Sequence, residues 1–241
     1  MQIDRRTQSI HAPGLDGRDA LSLREGIDQF RIRLGGRFKL GLHAEFTRYG
    51  MCRDLALPFT NLNAKIPIAV RPLQDADFGS LFSLQGCSDP TEALQVARQK
   101  AFVAKGPRAG FVAVDQRSGT PCHVQWLFGP VDNEFLKRVG GFPLLQPQQA
   151  LLENVFTPLK YRGWGIMSAA MGLIAERAAD IGAQEVLAFV DQNNIASLKG
   201  CQRAGFYPYL LHHRTRMAFG LTSRDRLARL PADDPRRTQR F

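Results

Sequence analysis

Two glycine-punctuated segments within residues 160–206 constrain this chain more than anything else in it. The first, Lys160-Tyr161-Arg162-Gly163-Trp164-Gly165-Ile166, follows an apolar, strand-like run and precedes a helical one. Glycine lets backbone N–H groups approach a ligand without side-chain obstruction. The first turn of a helix offers unpaired N–H donors and the positive end of a dipole. Arg162 adds a full positive charge. A strand, such a turn and a helix together suit a pyrophosphate. The chain contains neither G-x-G-x-x-G nor G-x-x-x-x-G-K-[ST], so Rossmann and P-loop readings lose support. The second segment runs Asn194-Ile195-Ala196-Ser197, then Cys201, then Gly205-Phe206. It places a second short helix near the reactive end of the same ligand.

The elements around these segments set the fold class. Residues 20–34 carry apolar residues at Leu23, Ile27, Phe30 and Leu34, one face of a helix, with Arg24, Arg31 and Arg33 elsewhere on it. Residues 37–65 give no clear pattern and read as a segment that covers the core or extends a pocket. From Ile66 the pattern becomes regular. A strand over 66–72 precedes a short helix capped by Asp75 or Asp77. A second helix opens at Pro90-Thr91-Glu92 and stops at Gly106-Pro107. Residues 110–114 and 123–128 form a hairpin about Ser118-Gly119-Thr120. A long connection over 129–148 holds one helical turn from Asn133 to Val139. A strand over 151–157 follows, then a helix from about Gly163 to Ala179 with Gly182 as its C-terminal cap. A strand over 185–190, the short helix after Asn194 and a terminal pair of strands (206–211 and 214–219) complete the chain. The order predicts a mixed α/β (α+β) fold, a largely antiparallel sheet flanked by helices. Three parts are expected: an N-terminal extension over 1–65, a ligand-binding domain over 66–220 and a basic tail over 221–241.

Composition narrows the setting. No run of eighteen apolar residues exists, and the polar start Met1-Gln2-Ile3-Asp4-Arg5-Arg6 lacks the apolar block of a secretory signal. A cytoplasmic protein is the expectation. Cys52, Cys87, Cys122 and Cys201 are widely spread, with no C-x-x-C pair, so neither disulfides nor a metal site are expected. Of the net charge of +10, residues 1–65 hold +4 and residues 222–241 hold +3. That excess suits solubility and a few phosphate contacts. Docking of the flanks on a membrane, through the basic helix over 20–34, is a sharper alternative. Nothing resembles a nucleic-acid-reading motif.

The order of elements resembles the GNAT acyltransferase superfamily over roughly residues 66–220. The turn Arg162-Gly163-Trp164-Gly165-Ile166 looks like that family's acetyl-CoA pyrophosphate loop. Asn194-Ile195-Ala196-Ser197, followed eight residues later by Gly205-Phe206, is similar to its second signature. Three departures stand out. Lys160 occupies a position where the family often has Gln or Arg. Pro158 lies one residue further from Arg162 than usual. Cys201 stands where many members have a tyrosine general acid. The resemblance implies direct transfer of an acetyl or other acyl group from acyl-CoA, as co-substrate, to an amine. It implies cofactor contacts at Val155, Phe156 and Thr157 through the backbone, at Lys160, Arg162, Gly163, Trp164, Gly165 and Ile166 around the loop, and at Asn194 and Ser197 along the pantetheine arm.

An ammonium substrate must lose its proton before it attacks. Glu153, a carboxylate inside an apolar strand, is the candidate base, and its position favours a raised pKa. By simple alternation it shares a face with Leu151, Val155 and Thr157. Asp191 is a weaker candidate that also suits a turn cap. Cys201 suits either a proton donor to the leaving thiolate or a small buried hydrophobe. His123, His212 and His213 read as structural. The expected acceptor is a small-molecule primary amine, amino sugar or amino acid. A non-catalytic acyl-CoA sensor is the competing reading, and a homodimer stays open.

Overall fold

The computed structural model describes residues 43–85, 89–107, 109–218 and 221–241. The helix expected over 20–34 and Cys87 lie outside the described residues. The chain divides into two units, Met1–Glu45 with Thr215–Arg224, and Phe46–Arg214 with Asp225–Phe241. The described part of the first consists of strand ends, where His43 Nε2 lies 3.1 Å from Glu45 Oε1. Everything that follows concerns the second unit.

Its strands belong to an eight-stranded sheet: β1 (His43–Asp54), β2 (Ile68–Pro72), β3 (Gly110–Asp115), β4 (Thr120–Phe128), β5 (Gln149–Phe156), β6 (Glu185–Asp191), β7 (Tyr207–Met217) and β8 (Thr222–Arg229). Their spatial order is β2-β3-β4-β5-β6-β1-β7-β8. Of the pairs with a described register, β5–β6 is parallel and the others are antiparallel. The mixed, mostly antiparallel class expected from the element order is the class observed.

Among the described residues, five α-helices flank the sheet: α1 (Asp77–Leu81), α2 (Pro90–Val103), α3 (Asn133–Val139), α4 (Ile166–Arg177) and α5 (Ile195–Arg203). One apolar core joins α4 and α5 to the sheet. Ile166, Ala170, Ile174, Leu198 and Cys201 pack there against Ala113, Leu127, Leu152 and Ala188. The other core places Leu81, Phe82, Val96, Phe135 and Leu136 against Val124, Trp126, Phe128, Leu151 and Phe189. Each fully buried Ile or Leu of α4 and α5 contributes about 1.5–3 kcal/mol, so α4 is anchored along its whole length. Gly182, at φ 78, ends its short 3-10 extension as expected.

Several boundaries differ from those the sequence predicts. Residues 43–54 are a strand inside the sheet, in register with β6 from Arg48↔Asp191 to Asp54↔Glu185. They are not a covering segment. The two-residue alternation is weak there because Met51, Cys52 and Arg53 are all buried. The expected break at His212-His213 does not occur. β7 runs through both, since neither carries turn chemistry and burial keeps alternating from Tyr207 to His213. Residues 222–229, expected as tail, form β8. The short helix α1 has Ala76 at its N-cap. Asp77 instead receives Arg71 Nη1 and Nη2 at 2.7 and 2.6 Å and the Gln74 N–H at 2.8 Å.

Candidate active site

The site begins where two parallel strands separate. The β5–β6 register runs Gln149↔Glu185, Ala150↔Val186 and Leu151↔Leu187, then ends. Both strands continue, to Phe156 and Asp191. A backbone N–H left without a ladder partner needs another acceptor. At Phe189 that acceptor is Glu153 Oε1, at 3.2 Å. The other carboxylate oxygen, Oε2, accepts from the Asn154 N–H at 3.2 Å.

Beyond the end of that ladder β5 carries a bulge. Across β4 the register passes from Val124↔Phe156 to Trp126↔Glu153. Asn154 and Val155 together therefore face the single residue Gln125. Asn154 takes the left-handed conformation, φ 57, which asparagine tolerates better than most residues. The bulge breaks the alternation expected between Glu153 and Val155, so a shared face cannot be counted through to Thr157.

The cleft that results has a volume of about 180 Å3. Glu153, Asn154, Val155, Asn194, Ser197 and Cys201 line it, with Gln125 of β4 and Met167 and Met171 of α4. Residues far apart in sequence thus meet in one place. Phe156 is buried in the core beside the cleft. Thr157 Oγ1 lies 2.8 Å from His123 Nδ1.

The electrostatics follow from burial. Burial raises the Glu153 carboxyl to about 7, against the lowering effects of Arg48 and of the Asn154 and Phe189 N–H groups. The residue keeps partial exposure through the cleft while its carboxyl head is enclosed. Burial, and then the charge of Glu153, push the Cys201 thiol up to about 12. Arg48 is held by the Gly141 carbonyl at 2.8 Å and by His212 Nδ1 at 3.1 Å. Its guanidinium lies over the Phe142 and Phe189 rings, 5.3 and 5.7 Å from their centroids.

The glycine turn sits at the N-terminus of α4. Gly163 and Gly165 have φ values of 76 and 75. A Cβ at Gly163 would meet nothing within 4 Å, so backbone conformation, not crowding by the protein, demands glycine there. The Trp164 carbonyl accepts from the Lys65 N–H at 2.8 Å. Among the described residues, no protein acceptor is seen for the N–H groups of Gly163, Trp164, Gly165, Ile166, Met167 or Ser168. The donors expected to meet an anion are open. Arg162 is anchored through Nε to the Thr157 carbonyl at 2.9 Å and through Nη2 to Gln95 Oε1 at 2.6 Å. Lys160 is exposed, its Nζ 5.1 Å from the Tyr161 ring centroid.

Asn194 Oδ1 accepts from the Ser197 N–H at 3.2 Å and caps α5. Asp191 Oδ1 accepts from the Asn193 N–H at 2.9 Å and serves the turn before it. Of the histidines, His212 Nε2 meets Asp225 Oδ1 at 2.6 Å and His213 Nδ1 meets Thr47 Oγ1 at 3.0 Å, as structural residues would. His123 is fully buried, and burial lowers its pKa to about 4, against the raising effect of the Gln125 side chain.

Sequence patterns do not single out Asn154, Gln125 or the supporting side chains of α2. Glu92 Oε1 accepts from the Leu159 N–H at 2.6 Å, and Gln95 holds Arg162. A polar Gln125 between the apolar Val124 and Trp126 is the one signal that points to any of them. Among the described residues no group of three His, Cys, Asp or Glu side chains could hold a metal ion. None of their helices is long and apolar enough to cross a membrane.

No family model matches the chain, and no curated protein does. Solved structures do. It is 16% identical to a GNAT-family acetyltransferase from Colwellia psychrerythraea, at a TM-score of 0.44, over 76% of this chain and 55% of that one. A GCN5-related N-acetyltransferase from Sphaerobacter thermophilus is also 16% identical, at a TM-score of 0.42, over 76% and 55%. A GCN5-related glucosamine N-acetyltransferase region of a fungal multi-domain GH3 β-N-acetylglucosaminidase is 16% identical as well, at a TM-score of 0.46, over 77% and 22%. The chain spans about half the length of the first two and a smaller share of the third.

Proposed function

We propose that this protein is an acyl-CoA-dependent N-acyltransferase of GNAT type that acylates a primary amine on a small molecule. The observation that carries the reading is the single cleft at the β5–β6 divergence, where Glu153, Val155, Asn194, Ser197 and Cys201 meet. The open N–H groups at the start of α4 and the nearby cations suit the diphosphate of CoA. Exposed backbone of β5 beyond Leu151 suits the pantetheine arm, as the Asn194 side chain does.

The proton inventory supports direct attack. Glu153, with its pKa near 7, takes a proton from the incoming ammonium and is still ionised often enough at neutral pH to do so. The amine nitrogen then attacks the thioester carbonyl carbon. A backbone N–H of the bulge stabilises the oxyanion. The C–S bond breaks, the thiolate leaves, and the nitrogen gives up its second proton to solvent. A Cys201 thiol at about 12 is a poor donor to the thiolate. Burial keeps that thiol a weaker acid than the departing CoA thiol, so the transfer is uphill. We therefore assign the returning proton to solvent or to the protonated Glu153, and Cys201 to the wall of the cleft.

The experiment is CoA-thiol release from acetyl-CoA with a panel of primary amines. Release with at least one amine, reduced about a hundredfold or more in Glu153→Gln with CoA affinity retained, is the expected result. The same weak acidity of Cys201 favours a second reading, a non-catalytic acyl-CoA sensor. That reading predicts tight CoA binding and no release with any amine.

A further inference from the structure

A row of residues crosses five adjacent strands, β5, β6, β1, β7 and β8, with one member on each: Glu153, Phe189, Arg48, His212 and Asp225. Glu153 Oε1 accepts from the Phe189 N–H. The Phe189 ring meets the Arg48 guanidinium and, edge to face, the His212 ring, with centroid distances of 5.7 and 5.8 Å. Arg48 Nη2 lies 3.1 Å from His212 Nδ1, and His212 Nε2 lies 2.6 Å from Asp225 Oδ1. Arg214 Nε and Nη2 hold the two Asp225 oxygens at 2.7 and 2.9 Å.

These contacts decide the state of His212. A guanidinium has donors and no acceptor, so Nδ1 must accept from Arg48. The imidazole proton therefore sits on Nε2 and is donated to Asp225. Hydrogen bonds from Arg214 bring the Asp225 carboxyl down to about 2, so this acceptor stays ionised near neutral pH. Burial lowers the pKa of His212, against the raising effect of its Asp225 hydrogen bond. A second proton on this buried ring would point at the Arg48 charge.

We propose that His212 is a positioning residue of the candidate site: its neutral ring fixes the Arg48 guanidinium against Phe189, and that fixed charge favours the ionised, proton-accepting form of Glu153. This rests on the reading of Glu153 as the base. Nη2 of Arg48 carries two N–H groups, and the Gly141 carbonyl and His212 Nδ1 take one each. Without the His212 acceptor, one N–H inside this packed wall would go unmet, at about 1–3 kcal/mol, and the guanidinium would turn towards water. Held in place, its charge acts away from bulk solvent, where it is worth more. It lowers the Glu153 carboxyl against the effect of burial. Among the described residues, the other titratable groups lining the cleft beside Glu153 are Asp191 of β6 and Cys201 of α5. Neither brings a positive charge. The charged groups around His212 are Arg48 of β1, Arg214 of β7 and Asp225 of β8.

The test reads Glu153 directly, by carbon NMR of carboxyl-labelled glutamate across its titration, with no ligand present. The signal is assigned by its loss in Glu153→Gln. Arg48→Met, which keeps length and removes the charge, should raise the midpoint by about one pH unit. His212→Gln should raise it as well, because its amide N–H can reach Asp225 but leaves no acceptor where Nδ1 stood. His212→Asn, whose Oδ1 can stand in for Nδ1, should leave the midpoint in place. The rising limb of kcat/KM should move with the midpoint. Nitrogen NMR of wild-type protein at neutral pH should find the His212 proton on Nε2. An unmoved midpoint in Arg48→Met, or a His212 proton on Nδ1, would overturn the proposal. So would equal midpoints in the two His212 variants, which would make His212 a packing residue only. If neither His212 variant folds, the Arg48→Met midpoint and the His212 tautomer decide. If no amine supports CoA release, the reading of Glu153 as the base fails, and these ligand-free midpoints still show whether Arg48 and His212 govern its ionisation.

Discussion

Asn154 and Gln99 exchange two hydrogen bonds across the face of the sheet: Gln99 Nε2 donates to Asn154 Oδ1 at 3.2 Å and Asn154 Nδ2 donates to Gln99 Oε1 at 2.8 Å. The pair ties the bulge of β5 to helix α2 and holds Asn154 in its left-handed conformation. The bulge lines the cleft, beyond the point where the β5–β6 ladder ends.

Two substitutions at Asn154 separate strain from bonding. Asn154→Gly removes the amide pair but suits a positive φ, and should cost about 1–2 kcal/mol in urea unfolding. Asn154→Ala removes the pair and adds left-handed strain, so it should cost about 1–2 kcal/mol more than the glycine. Equal costs would mean that the backbone at 154 carries no conformational demand.

Glu153 makes stability depend on pH. Its pKa is raised from 4.5 to about 7 on folding. Below about 4.5 both states hold the proton and there is no penalty. As pH climbs from 4.5 through 7, the unfolded chain releases its proton first and the folded state loses ground. The full shift corresponds to about 3 kcal/mol, and partial exposure through the cleft lowers the expected loss to about 1–3 kcal/mol. Unfolding free energies measured between pH 4.5 and 8 should decline by this amount in wild type. Glu153→Gln should flatten the decline. The same ionisation should appear as a rising limb in kcat/KM with an apparent pKa near 7.

At the glycine turn, Gly163→Ala and Gly163→Glu answer different questions. Either side chain would project into space free of protein atoms, and each costs about 1–2 kcal/mol in backbone strain. CoA should still raise the melting temperature of Gly163→Ala, because binding to the native state alone stabilises it. It should leave Gly163→Glu unshifted, since the added carboxylate meets the diphosphate. A normal shift in the glutamate variant would remove this turn from the binding site.

Cys201 should prove dispensable to the chemistry. Cys201→Ala is expected to keep activity within about fivefold at every pH, while losing about 1–2 kcal/mol of stability to the small cavity left against Glu153 and α4. A loss confined to high pH, where solvent protonates a thiolate least readily, would restore the thiol as proton donor.

The features legible in the amino-acid sequence have strong local causes. Apolar spacing marks the helix over Ile166–Arg177, position marks its C-terminal glycine, and turn residues mark the β3–β4 hairpin. The loop over 162–166 and the cap at Asn194 are readable for the same reason. Residues 43–54 are opaque because a strand with consecutive buried residues lacks two-residue alternation. Asn154 is opaque because a bulge changes the count along a strand without any unusual composition.

The chain's own residues determine a mixed α/β protein with an anion-suited turn, a second capped helix and one out-of-place carboxylate in a strand, because glycine, caps and periodicity act within a few residues. Only the tertiary structure decides that these meet in one cleft, that β1 joins the sheet beside β6, and that burial lifts Glu153 and Cys201 to about 7 and 12. Desolvation and hydrogen-bond satisfaction are set by neighbours far away along the chain, and no local pattern encodes them.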